Sequence, residues 1–124
     1  MKSIKTFFAI IAFTLICGAA SAQYRMDSNG RTLLNSSNST LGSIDNDGKT
    51  IRNSKNIVVA SVNDDGRTIV NSINSRVLVI YGNDIRNASN TTIANMNEVT
   101  NSITGAKGTA VYVALWWFLV KGNW

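Results

Sequence analysis

The chain has 124 residues, 44% of them hydrophobic and 15% charged, with a formal net charge of +5. It carries no histidine, no proline and a single cysteine. That composition excludes Ser/His and Cys/His nucleophilic pairs and the usual histidine-containing zinc sites, and the length supports one small domain.

Residues 1–22 read as a secretory signal peptide. Lys2 and Lys5 form a positive start, Phe7 to Cys17 an apolar run, and Ala20-Ser21-Ala22 a small-residue cleavage site before Gln23. The apolar run is short for a membrane span of about 20 residues. Ile16 stands where a lipid-attachment motif at Cys17 would need a small residue, so an exported, unlipidated product is expected. Setting aside Lys2 and Lys5 leaves 10 basic against 7 acidic residues, a net of +3. Such mild basicity gives no reason to expect nucleic acid as a partner. The exported part, 23–124, has no cysteine and hence no disulfide, so its stability must come from its core.

One phrase then repeats. Asp27-Ser-Asn-Gly-Arg-Thr-Leu-Leu-Asn-Ser36 is followed at 18-residue steps by Asp45 to Ser54 and Asn63 to Ser72. Gly82 to Ala88 is a shorter fourth copy and Glu98 to Ser102 a degraded fifth. A fixed period signals one supersecondary unit used repeatedly, which buries its apolar face only beside its neighbours. Each unit carries two turn signals. The first is an Asn/Asp-Gly pair at 29–30, 47–48 and 65–66; the second is Ser/Asn-rich, at 36–39, 54–56, 72–75 and 88–91. Short Thr/Ile/Val/Leu runs between them read as strands. Five two-stranded units predict about ten strands, with at most one helix, near the C-terminus.

Alignment of the copies predicts the core. First strands contribute Leu33, Ile51, Ile69, Ile85 and Val99. Second strands contribute Leu41, Val59, Val77 and Ile93, then Ile44, Val62, Ile80 and Met96. Small residues at Gly42, Ala60 and Ala94 allow close approach of backbone or of a central element. Asn35, Asn53, Asn71, Asn87 and Asn101 recur at one position. A ligand-binding ring is one reading; turn-opening asparagines bonded to nearby backbone are the favoured one. Arg52 and Arg86 have uncharged equivalents and read as solvated surface. The acidic turns at 45–49 and 63–67 resemble fragments of calcium loops but lack the remaining acidic ligands, so they read as structural turns.

The last segment, Ala110 to Val120, is apolar and too short to span a bilayer. The strands need something to pack on, and this run needs cover. A plug of residues 110–120 inside curled strands satisfies both, and closure removes sheet edges.

The repeated Thr-Ile-x-Asn-Ser phrases, the Thr40-Leu-Gly-Ser-Ile44 run and the aromatic tail resemble the bacterial five-fold β-flower proteins, over nearly all of 23–120. The resemblance implies an all-β, pseudo-symmetric shallow barrel of five β-hairpin repeats around a hydrophobic C-terminal segment, expected as a short helix. Its architecture is similar to the Tubby C-terminal domain. It carries over no catalytic, cofactor-binding or metal-ligating residue.

Two functions follow as expectations. The first is a non-enzymatic exported structural or interaction protein of the bacterial envelope, periplasmic, outer-envelope or secreted, with no cofactor. The alternative is a lipid or membrane-surface binding module of Tubby-like type, with a lipid or other envelope component as partner. Burial of Trp116 and Trp117 favours the first; wet tryptophans beside arginines favour the second. A glycan platform at Trp124 or Tyr81 is a third reading.

Overall fold

The turns build the sheet. In the computed structural model, which describes residues 23–124, each turn at 27–32, 45–50 and 63–68 is closed by two backbone bonds; in the first, Gly30 N–H donates to Asp27 and Asp27 N–H to Thr32. Gly30, Gly48 and Gly66 take φ of 72–74° there, a left-handed geometry that glycine adopts without steric cost. The fourth turn is a two-residue connection between Tyr81 and Asp84. The expected signal peptide at 1–22 lies outside the described residues.

Ten strands form one sheet. They are β1 (Tyr24–Met26), β2 (Thr32–Leu34), β3 (Thr40–Ile44), β4 (Thr50–Asn53), β5 (Val58–Val62), β6 (Thr68–Asn71), β7 (Arg76–Tyr81), β8 (Asp84–Asn87), β9 (Thr92–Asn95) and β10 (Ile103–Thr104). Each consecutive pair from β1 to β9 is antiparallel, and β10 lies parallel to β1. Two helices, α1 (Met96–Ser102) and α2 (Ala110–Leu115), and a π-helical turn (Trp116–Val120) complete the chain. The molecule is therefore mostly β.

The sheet is open, where the sequence led us to expect a closed barrel. β9 and β10 do not pair; α1 joins them. At about 1.5 Å per residue its seven residues span roughly 10 Å. This helix also corrects the reading of the fifth unit, since Glu98 to Ser102 is helical, not the start of another hairpin. Asn95 caps it, its side chain accepting from Glu98 N–H, and the Asn-x-x-Glu spacing matches a capping box. A second helix near the C-terminus brings the count to two, above the one expected. β1 precedes the first repeat phrase and β10 follows the fifth, so neither belongs to the expected set.

Register explains which predicted core positions face inward. Leu33, Ile51, Ile69, Ile85 and Val99 are all fully buried, and Ile44, Val62, Ile80 and Met96 are nearly so. The other second-strand set fares differently: Val59 is buried, Leu41 and Val77 half-buried, and Ile93 exposed. Leu33 pairs with Gly42 but Leu34 with Thr40, leaving Leu41 unpaired in a bulge. The same slip leaves out Val59, Val77 and Ile93. Next to the bulges, on the same strands, the inward residues are Gly42, Ala60, Leu78 and Ala94, all buried. A bulge places two residues against one and bends the strand, so four equivalent bulges curve the sheet at four equivalent places. The two halves of each unit are also tied by one recurring bond: Ile44, Val62, Ile80 and Met96 N–H donate to Arg31, Lys49, Arg67 and Asn83 carbonyls.

The C-terminal segment is helical and central. Tyr112, Val113, Ala114, Leu115, Trp116 and Phe118 are buried in the same cluster as the inward strand residues. α2 packs on β3, β4, β5 and β6, and Tyr112 Oη donates to the Gly30 carbonyl at 3.1 Å.

Candidate functional site

The hairpins give the molecule two ends. The glycine turns gather at one, where Thr109 to Val111 at the start of α2 lie beside Lys49 and Asp64. The asparagine turns gather at the other, where Phe118, Asn123 and Trp124 lie beside Ile57 and Ser72.

At the asparagine end, four of the five recurring asparagines do one job. The side-chain oxygens of Asn35, Asn53, Asn71 and Asn87 each accept two backbone N–H bonds across their own turn, at 2.8–3.1 Å. A second asparagine in each turn, Asn38, Asn56, Asn74 or Asn90, holds φ of 64–66°, the left-handed region that asparagine tolerates better than most residues. Asn101 is exposed on α1 and stands apart from the set. The five asparagines are thus turn formers at four positions and do not converge as a ring.

At the glycine end, the acids are similarly engaged. Asp65 accepts from Thr68 Oγ1 and from the Arg67 and Thr68 amides, and these donors hold its carboxyl down at about 2, Thr68 Oγ1 contributing most. The Lys49 amide, then Thr50 Oγ1 and the Thr50 amide, lower Asp47 in the same way. Asn29 fills this position in the first unit and caps the Arg31 and Thr32 amides. Lys49 and Asp64 form an exposed 2.6 Å pair, which raises the lysine and lowers the aspartate; such pairs contribute little to stability. Among the described residues, no group of three or more His, Cys, Asp or Glu is placed to hold a metal. A shallow polar groove of about 610 Å³ runs between Asn29, Arg31, Asp45, Asn46, Asp47 and Arg52. Arg31 bonds Asn46 and Arg52 bonds Asp45 within it, so its polar groups are already partnered.

Arg52 and Arg86 are half-buried, which corrects their reading as solvated surface. Arg52 spans the outer face from Asp45, at 3.0 Å, to the Asn56 carbonyl at 3.1 Å. Arg86 lies over the Tyr81 ring, 4.5 Å from its centroid, and reaches Asn90.

The tryptophans divide. Trp116 is buried, Trp117 is half-buried against it with ring centroids 6.0 Å apart, and Trp124 is exposed. The Lys121 ammonium sits 5.2 Å from the centre of the Trp116 ring. Ile57 and Trp124 flank an apolar pocket of about 230 Å³ whose walls include Val58, Val59, Val77 and Phe118. Asn71 and Ser72 of the next turn also line it, and Ile73, which follows them, is exposed. The turn isoleucines were not among the candidates drawn from the repeat. Their signal is an apolar residue inside an otherwise Ser/Asn turn. The apolar pocket with its exposed rim is the candidate site.

No family model, curated protein or solved structure matches this chain.

Proposed function

We propose that this chain is a non-enzymatic, exported structural or interaction protein of the cell envelope, built as a five-fold β-flower-like domain in which α1 takes the place of the fifth hairpin. One observation carries the reading. The polar residues that recur with the repeat are occupied in forming their own turns: Asn35, Asn53, Asn71 and Asn87 at one end, Asn29, Asp47 and Asp65 at the other. Their oxygens face backbone amides, which leaves surface shape, exposed apolar tips and surface charge as the means of recognition. Burial of Trp116 supports a structural use of the tail.

Fractionation of a cell that makes the protein tests this, with mass spectrometry of the N-terminus. Recovery outside the cytoplasm with Gln23 first is expected. An intact Met1 on cytoplasmic protein overturns the exported reading.

A further inference from the structure

We propose that the asparagine end is a docking face for an anionic lipid bilayer. This rests on the exported reading above and names the partner of that surface.

Its apolar part is exposed at hairpin tips. Ile57 is 53% exposed, Ile73 78% and Trp124 61%. Ile57 and Ile73 sit in consecutive asparagine turns, Asn53–Ile57 and Asn71–Ser75. Trp124 lies with Ile57 at the pocket between them. The isoleucine side chains make none of the turn bonds, which run between the asparagines and backbone groups, those of Ile57 and Ile73 included. These side chains are therefore free to enter an apolar phase. Trp124 has the amphipathic ring favoured at membrane–water boundaries.

Charge selects the occupant. The four asparagine turns at 36–39, 54–57, 72–75 and 88–91, and residues 121–124, contain no acidic side chain. Lys55 lies in one of these turns and Lys121 beside Trp116. Arg25 bonds Asn38 and Arg76 bonds the Ala88 carbonyl. The ion pairs among the described residues are Lys49–Asp64, Arg52–Asp45 and Arg86–Asp84, so these four cations have no carboxylate partner. Six acids, Asp27, Asp45, Asp47, Asp64, Asp65 and Asp84, lie instead in or next to the glycine turns. One end is thus cationic with protruding apolar groups, while the other, which also holds Arg31, Lys49 and Arg67, carries more acids than bases. A surface combining spread negative charge with an apolar layer beneath matches the first end. Among the described residues no helix is long and apolar enough to cross a membrane, so attachment would be peripheral.

The test uses the exported protein, with its N-terminus verified to be the same in every variant. It is sedimented with phosphatidylcholine vesicles containing or lacking phosphatidylglycerol. Binding is expected only with the anionic lipid, with a blue shift in tryptophan emission and release by added salt. K55E/K121E should weaken partitioning by at least about fivefold per cation removed. I57S/I73S should reduce it by an order of magnitude or more, as two buried apolar side chains imply. R67E, a matched charge change at the glycine end, should leave it unchanged. Unaltered thermal melts show that the variants remain folded, and the lysine arm decides the matter if the isoleucine variant does not. The proposal is overturned if anionic vesicles leave the protein in solution, or if R67E weakens binding by as much per cation removed as K55E/K121E does. It is also overturned if I57S/I73S converts a dimer to a monomer without changing vesicle binding, which would identify a second copy of this chain as the occupant. Any of these outcomes leaves the exported reading standing, because fractionation checks that separately.

Discussion

Leu119 occupies the space that a side chain at Gly42 would take. A Cβ at position 42 would meet Leu119 Cδ1 and the Arg52 carbonyl, with the Asn53 Cα at 3.2 Å. Gly42 faces inward beside the bulged Leu41 on the same strand, and Leu119 belongs to the π-helical turn that ends the central segment. The equivalent residues are Ala60, Leu78 and Ala94, so only the first unit needs glycine here.

Gly42→Ala should therefore destabilise the domain by about 1–3 kcal/mol, the usual range for overpacking. Adding Leu119→Ala should recover only part of the loss, since the Arg52 carbonyl remains in the way. Urea midpoints of the single and double variants measure both effects. An unchanged midpoint for Gly42→Ala contradicts the close approach.

Phe118 is buried in the cluster that joins the tail to the strands. Its truncation to alanine should cost roughly 3–5 kcal/mol, a large share of the roughly 5–15 kcal/mol typical of a native protein. Removing 110–124 altogether should leave an unfolded or aggregating chain, because the inward isoleucines and leucines lose their partner. A soluble truncation with an unchanged cooperative melt would show that the tail is not the core.

Asn74 holds φ at 65°. Asn74→Ala should destabilise by about 1 kcal/mol, because a Cβ is disfavoured in the left-handed region, while Asn74→Gly should be close to neutral. Asn101→Ala, on the exposed side of α1, should have little effect. Chemical denaturation of the three variants separates turn geometry from mere loss of an amide.

Asp65 and Asp47 both have depressed pKa values in the folded state, Asp65 falling from the ordinary 3.8 to about 2. Between about pH 4 and pH 2 the unfolded chain therefore binds more protons than the folded one. Their stabilising contribution is present above pH 4 and is lost as pH falls through the folded value. Asp65→Asn should remove part of this acid dependence and still fold at neutral pH, because Asn29 already makes the corresponding turn in the first unit. Melting temperatures followed from pH 7 to pH 2 test this; an identical acid slope in the variant would show that the carboxylate is not linked to folding.

The recurring residues determined by themselves strands β2 to β9, both kinds of turn and the buried positions from Leu33 to Val99. Those features depend on local preferences, with glycine and asparagine accepting left-handed backbone and β-branched residues favouring strands. The same repetition misled at the fifth unit. There the local Asn95-x-x-Glu98 cap outweighs a worn repeat phrase, yet Val99 stays buried in either structure. Only tertiary structure decided which second-strand residues face inward, because one bulged residue per hairpin shifts the alternation in a way no periodicity records. It also decided that β9 and β10 remain unpaired. The pairing of Ile57 with Trp124 at one pocket came from folding too: residues far apart along the chain, neither part of the repeat phrase, come together because the asparagine turns and residues 121–124 lie on the same side.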